Sequence, residues 1–358
     1  MRLQKSILYT VFITALSSTS LSYADSVIET EQKLLSGLDS IHSLKMDYAL
    51  AQFSELGETL PKYKLAQLIK AELLAAKAGD FELVESIRQR HKKIVNKLLE
   101  EAEVRWEFAS QPSQTPNEFD DIVIKSAQQE RIIFVSLKES RLYLFERSNT
   151  GRLNLVADYY VSMGRKGSGK QKEGDLRTPV GVYHLVDLLP GEDLPDLYGV
   201  GALPLNYPNE WDKKNGKTGS GIWLHGVPSD TYIRPPRASR GCVVLNNTAM
   251  SKLLGKYDVP FTTPVIIADQ GPRMMQESKQ VILDRVRSWL AQHQKDVQWK
   301  DVSVYRYPSE QDLFYITFPN LKSQTIVHQF WQRDNSGKWS MQAQSSNFLG
   351  RDTILAKR

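Results

Sequence analysis

The sequence predicts a multidomain protein: a helical N-terminal region, a β-rich central domain and a C-terminal α+β domain. Three observations predict it. Between about 27 and 110, apolar residues recur at helical spacing with little Gly or Pro. From Arg131 to about 270, short strand-like runs alternate with Gly/Pro turns. After Gly271-Pro272, one helical pattern is followed by four strand-like runs. At 358 residues the chain can hold two or three domains of about 150 residues each. Its 41% hydrophobic and 24% charged residues are those of folded protein and exclude wholesale disorder.

The first 24 residues read as a signal peptide. Arg2 and Lys5 precede a mostly apolar run, Ser6 to Leu16, and Ser22-Tyr23-Ala24 offers small residues for cleavage after Ala24. The run is shorter than the roughly 20 residues a spanning helix needs. The expected location is therefore exported, periplasmic or equivalent. Without Arg2 and Lys5 the formal charge falls from +5 to +3, too mild to call for a nucleic-acid partner.

The helical region with its linker occupies 25–124. Leu34, Leu38, Ile41 and Leu44 share one helical face, as do Leu65, Leu68, Ile69 and Leu73. Val84, Ile87, Ile94, Val95, Leu98 and Leu99 continue the pattern. Gly79-Asp80 reads as a helix stop followed by an N-cap. Gln111 to Asn117, rich in Ser, Pro, Thr and Asn, reads as a linker.

The central domain is expected over 125–270. Strand-like runs lie at Arg131 to Ser136, Arg141 to Phe145, Leu153 to Met163, Gly181 to Val186, Gly221 to Leu224, Cys242 to Leu245 and Val265 to Ala268. The C-terminal domain, 271–358, opens with a helix carrying Val281, Val286, Trp289 and Leu290. Its strands are expected at Val302 to Tyr307, Leu313 to Phe318, Thr325 to Trp331 and, after a turn at Asp334 to Gly337, at Lys338 to Gln344.

The densest chemical signal is Gly221-Ile-Trp-Leu-His225-Gly226-Val-Pro228 followed by Ala238-Ser239-Arg240-Gly241-Cys242-Val-Val-Leu245. Cys242 is the single cysteine, so it makes no disulfide within the chain. Thiol catalysis needs a thiolate, an imidazole to move its proton, and glycines that let backbone N–H groups approach an oxyanion. His225 and Cys242 each adjoin glycine and a hydrophobic run. A neighbouring imidazole, with Arg240 close by, is expected to lower the thiol pKa.

This pair resembles the signature of the L,D-transpeptidases, the YkuD-like catalytic domain, in which His-Gly precedes Ser-His-Gly-Cys-(Ile/Val)-Arg. Arg177-Thr178-Pro179-Val180-Gly181-Val182-Tyr183 is similar to the family's Thr-Pro-x-Gly-x-Tyr/Phe turn. Asn206-Tyr207-Pro208-Asn209 and Gly219 to Gly226 resemble its substrate cleft, and the likeness covers about 130 to 270. The resemblance implies Cys242 as nucleophile and His225 as general base and acid. It implies the Gly226 carbonyl as orienter of the imidazole, and N–H groups of Gly241 and Cys242 as the oxyanion hole. Substrate contacts are implied for Asn206, Tyr207, Trp223, Ser239, Arg237 and Arg240. Two positions depart from the pattern. Arg240 stands where many members have a second histidine. Val244 stands where many have arginine, so Arg234, Arg237 and Arg240 are the local candidates for a carboxylate contact.

The implied activity is acyl transfer on peptidoglycan stem peptides with release of D-alanine. Trimming of tetrapeptide to tripeptide stems by an L,D-carboxypeptidase is the alternative, and a non-catalytic wall-binding scaffold the second. The C-terminal domain resembles nuclear-transport-factor-like folds in its element pattern and those of cell-shape carboxypeptidases in this family. The flanking domains are expected to bind wall-machinery partners.

Gly164 to Gln171 nearly matches a phosphate-cradling loop, but Gln171 lacks the hydroxyl that magnesium needs, so a mobile basic loop beside the cleft is expected instead. His184, His293 and His328 show no metal-ligand spacing, and neither metal nor cofactor is expected.

Overall fold

The computed structural model describes residues 18–110, 117–127, 129–270 and 277–348. Most of the expected signal peptide (1–17), most of the expected linker (111–116) and the boundary at Gly271-Pro272 lie outside the described residues. The chain divides into two compact units, Met1–Pro61 with Ala66–Val84, and Lys62–Leu65 with Glu85–Arg358. Among the described residues no helix is long and apolar enough to cross a membrane.

The helical region comprises α1 (Ser18–His42), α2 (Met46–Thr59), α3 (Lys64–Lys77), α4 (Phe81–Arg90) and α5 (Lys92–Ala109). In the first unit Leu34 of α1 and Ala49, Phe53 and Leu56 of α2 are buried. Gly37 lets these helices approach, since a Cβ there would lie 2.7 Å from the Phe53 ring. The stop after α3 forms as the sequence predicts. Gly79 takes φ 74°, and its N–H and that of Asp80 close on Ala76 and Ala75 carbonyls at 3.0 and 2.9 Å. Asp80 Oδ1 then accepts the Leu83 N–H at 2.9 Å. Not every periodic apolar residue is interior: Leu44 is 79% and Ile94 57% exposed.

The second unit continues with α6 (Asn117–Ile122), β1 (Val123–Lys125), β2 (Arg131–Ser136), β3 (Arg141–Arg147), β4 (Leu153–Tyr160), β5 (Met163–Gly164) and β6 (Gly181–His184). Next come β7 (Leu189–Pro190), β8 (Gly201–Pro204), α7 (Glu210–Lys214), β9 (Trp223–His225), β10 (Arg237–Ser239), β11 (Val243–Val244), α8 (Asn247–Ser251) and β12 (Pro264–Ala268). The last elements are α9 (Lys279–His293), β13 (Ser303–Arg306), β14 (Leu313–Asn320), β15 (Thr325–Arg333) and β16 (Trp339–Phe348).

Three sheets build the central domain, in the orders β4-β3-β2-β12-β6, β11-β9-β8-β7 and β10-β5. Strands β2 and β12 are parallel neighbours, and nearly all their residues are buried, which is why they read as unbroken apolar runs. The C-terminal sheet, β1-β13-β14-β15-β16, is antiparallel throughout and packs against Ile282, Val286 and Leu290 of α9. Its edge strand β1 comes from the end of the linker, with Val123 opposite Tyr305. Three residues are too few to display a period, so the sequence does not announce this strand.

Central and C-terminal domains share one core. Phe134, Tyr143, Val182 and Ile266 pack in the same cluster as Tyr305, Tyr307, Tyr315 and Phe330. Gly181 is pressed against this seam, where a Cβ would lie 2.3 Å from the Tyr307 hydroxyl. Within the seam the His184 and His328 rings stack, with centroids 4.7 Å apart. Asn347 Nδ2 lies 3.1 Å from His184 Nε2, and Tyr315 Oη lies 2.6 Å from His328 Nδ1. Among the described residues the other two ring nitrogens, His184 Nδ1 and His328 Nε2, are buried without a hydrogen-bond partner.

Burial pushes His184 down to about 3 and His328 to about 4; His225, discussed below, also falls to about 4. In the unfolded chain each returns to about 6.5. The unfolded state therefore takes protons first, and stability is lost as pH falls from about 6.5 toward those folded values, at ~1.4 kcal/mol per pH unit per ring. Urea unfolding at pH 7 and pH 5 should show a loss of about 2 kcal/mol per buried histidine. A doubly substituted His184→Gln, His328→Gln protein should show a flatter dependence. Equal stability of the wild type at both pH values would contradict neutral burial of these rings.

Candidate active site

Strands β9 and β11 run parallel, with Leu224 opposite Val243 and His225 opposite Val244. Cys242 immediately precedes β11, and its thiol lies against the backbone of Gly221 and of Trp223, the first residue of β9, the strand that ends in His225. Extending the strand spacing by one residue puts the Cys242 and His225 Cα atoms about 8 Å apart.

His225 is buried, and its Nδ1 lies 2.6 Å from the Gly226 carbonyl. The carbonyl can only accept, so Nδ1 carries the proton and Nε2 is left with a lone pair. The Tyr198 ring meets the imidazole edge to face at 5.1 Å. Gly226 donates to the Tyr198 carbonyl at 3.0 Å, and a Cβ there would lie 2.2 Å from Asn247 Oδ1. Asn247 braces the strand end, accepting the Val227 N–H at 3.0 Å and donating to the Val227 carbonyl at 2.9 Å. Any side chain at 226 would break this brace.

Half-buried Cys242 donates from Sγ to the Gly221 carbonyl at 3.3 Å. Its turn is closed by Ser239, whose Oγ donates to the Cys242 carbonyl at 2.6 Å and accepts the Gly241 N–H at 3.0 Å. Gly241 has φ 137°, and a Cβ there would lie 2.8 Å from the Arg177 carbonyl. Buried Thr178 ties the turn to its neighbour: Oγ1 accepts the Gly164 N–H at 2.9 Å and donates to the Gly241 carbonyl at 3.0 Å. Thr178→Val would leave both buried groups without that partner, each costing about 1–3 kcal/mol. We expect a loss of about 2–4 kcal/mol in chemical denaturation, mostly recovered by Thr178→Ser. A Thr178→Val protein as stable as the wild type would show that the bridge contributes nothing.

Residues 130–267 match the family model described as the L,D-transpeptidase catalytic domain, YkuD. This segment is an L,D-transpeptidase-family catalytic domain. Among solved structures the chain is similar to the helical cell shape determining protein Pgp2 from Campylobacter jejuni, with 18% identity over 70% of this chain and 99% of that one, TM-score 0.47. It is similar to Bd1075 from Bdellovibrio bacteriovorus, with 20% identity over 63% and 97%, TM-score 0.47. It is also similar to an L,D-transpeptidase from Xylanimonas cellulosilytica, with 22% identity over 46% and 68%, TM-score 0.28. No curated protein matches the chain.

In the L,D-transpeptidase domain the electrostatics differ from the sequence expectation. Burial pushes the Cys242 thiol above its ordinary value, outweighing the lowering by the Trp223 N–H, Arg234 and Lys170. Burial, assisted by Arg234, also holds His225 down to about 4 against the raising effect of the Gly226 carbonyl. Both groups are therefore neutral near pH 7, a thiol and an imidazole rather than a thiolate and an imidazolium. The lowered thiol pKa expected from the sequence is corrected by desolvation, which no motif displays.

Several expected substrate contacts are engaged in scaffolding. Ser239 is buried in its own turn, and the Gly241 N–H is bound to it, so that N–H is not directed at an oxyanion. Asn206 Oδ1 accepts the His184 N–H at 2.9 Å, and the buried Tyr207 donates its hydroxyl to the Thr218 carbonyl at 3.3 Å. Arg237 is exposed and pairs with Glu100 at 3.3 Å, and Arg240 is exposed. Trp223 is half-buried against Tyr198, with centroids 4.8 Å apart, and flanks the cysteine.

The expected mobile basic loop is a tied one. Buried Lys170 pairs with Asp175 at 3.0 Å, and the Thr178 N–H reaches the Gly167 carbonyl at 2.9 Å. Burial opposes ionisation of Asp175, but the N–H groups of Gln171 and Lys172, the Lys170 ammonium and the Arg177 N–H prevail and hold it at about 2. Sequence reasoning also missed Tyr198 and Asn247, which hold His225 and Gly226 from outside every motif. Among the described residues no group of three or more His, Cys, Asp or Glu could hold a metal.

Proposed function

We propose that the chain is an exported cysteine acyltransferase acting on peptidoglycan stem peptides, with Cys242 as nucleophile and His225 as base. The observation that supports this is the parallel register of β9 and β11, which brings the turn of Cys242 alongside the strand of His225, while the Gly226 carbonyl leaves Nε2 free to accept a proton. Nε2 takes the Sγ proton as sulfur attacks the carbonyl joining the L-centre of a diamino acid to terminal D-alanine. In this reading the Cys242 N–H donates to the oxyanion. The C–N bond breaks, the imidazolium returns its proton to the leaving amine, and D-alanine departs from a thioester. An amine of a second stem resolves the thioester into a cross-link, making the enzyme a transpeptidase. Water resolves it into a tripeptide stem, making the enzyme an L,D-carboxypeptidase.

We place the mature start near Asp25, in the periplasm or an equivalent space. The C-terminal helix and sheet belong, in this reading, to the nuclear-transport-factor-like kind and with the helical region engage the wall machinery. Incubation with purified muropeptides and mass analysis of the products tests the reading. Cross-linked dimers identify a transpeptidase and tripeptides with free D-alanine a carboxypeptidase. Unchanged muropeptides would identify a non-catalytic scaffold and overturn it.

A further inference from the structure

Two places after the nucleophile, where many family members carry arginine, Val244 is fully buried in β11. A peptide ending in a free carboxylate must then meet a cation from elsewhere. Lys170 is already matched by Asp175 at 3.0 Å and by the Lys172 carbonyl at 3.1 Å. Arg237 turns to Glu100. Arg234 differs from both. Its guanidinium is held at Leu197, the neighbour of Tyr198, whose ring meets the His225 ring at 5.1 Å and the Trp223 ring at 4.8 Å, and its charge is felt by Cys242 and His225. It is half-buried, and its Nη2 donates to the Leu197 carbonyl at 3.3 Å. Among the described residues no carboxylate forms an ion pair with it; Asp230 acts on it only through space.

The backbone fixes the position of this arginine. Tyr160 donates its hydroxyl to the Arg234 carbonyl at 3.2 Å, Ser162 Oγ to the Pro235 carbonyl at 2.5 Å, and the Met163 N–H to the Pro236 carbonyl at 2.7 Å. Two residues earlier, the Tyr232 ring packs on Tyr63 at 4.7 Å. A partly desolvated cation without a partner anion is unfavourable. A guanidinium fork matches a carboxylate in two-point geometry.

We propose that Arg234 is the specificity-determining residue for a free C-terminal carboxylate, pairing with the carboxylate of the amino acid that leaves when Cys242 attacks. This rests on the acyl-transfer reading above. The test compares a tetrapeptide stem ending in free D-alanine with the same peptide as its C-terminal amide, for wild type, Arg234→Gln and Arg234→Lys. A charge-assisted contact gives the wild type a preference for the acid of about 10- to 150-fold in kcat/KM. In Arg234→Gln the preference should collapse toward one, mainly through a raised KM for the acid, and Arg234→Lys should recover part of it. A preference that survives in Arg234→Gln, or equal loss on acid and amide, would overturn the assignment while leaving the acyl-transfer reading intact. A folded wild type inert on both peptides would overturn both.

Discussion

Cys242→Ala should cut turnover of a stem peptide on the order of 10⁶-fold, the scale on which removal of the nucleophile acts in other acyl-transfer enzymes. The chain has no second thiol to take over. Structure should be spared. The substitution removes one weak Sγ–H···O contact of 3.3 Å at a half-buried position, while the Ser239 bonds that shape the turn use backbone atoms. Stability should change by no more than about 1 kcal/mol. Turnover by Cys242→Ala within tenfold of wild type would remove sulfur from the chemistry. Loss of turnover together with unfolding would be uninterpretable for Ala, and Cys242→Ser, which keeps a donor toward Gly221, would then decide between the two causes.

His225→Ala should lower kcat/KM by about 10²- to 10⁴-fold, the range for loss of a general base. The electrostatics make a sharper statement. A neutral imidazole exerts no full charge on the thiol, and the cations that do act on it are Arg234 and Lys170. Thiol alkylation followed against pH should therefore titrate above the ordinary value in the wild type and move little in His225→Ala, even as turnover collapses. Arg234→Gln should move the alkylation profile upward, since a lowering charge is lost. A wild-type thiol titrating well below the ordinary range, with a large upward shift in His225→Ala, would instead indicate a resting ion pair. The pH–rate profile follows the same logic. Activity should rise as His225 loses its proton near pH 4 and stay high through neutrality, provided the fold survives the acid loss described above.

Much of this site is legible along the chain because it is built from local pieces. Cys242 and His225 each stand beside a glycine at the end of an apolar run, and those runs are the two paired strands. Gly79-Asp80 is legible for the same reason: a left-handed residue and a side-chain cap act within four positions. What was not legible depends on contacts between distant segments. Arg234 stood as one of three arginines, and nothing in the sequence separates it from Arg237, which Glu100 draws away across more than a hundred residues. Lys170 looked like part of a free basic loop because its partner Asp175 is visible only once the loop folds back. The direction of the thiol shift depends on burial, a property of the assembled sheets. The seam of His184 and His328 likewise joins strands far apart in the chain, so neither histidine could be recognised as half of a pair.

The most direct measurement is the intact mass of the protein quenched in acid during turnover of a tetrapeptide stem. A thioester at Cys242 adds the mass of the peptide minus D-alanine, disappears with hydroxylamine, maps to the peptide containing Cys242, and accumulates further when no acceptor amine is supplied and water is the sole acceptor. The expected result is that adduct on wild type and none on Cys242→Ala. Turnover of the stem peptide by wild type with no adduct at Cys242 under rapid quenching, and with undiminished rate in Cys242→Ala, would contradict it.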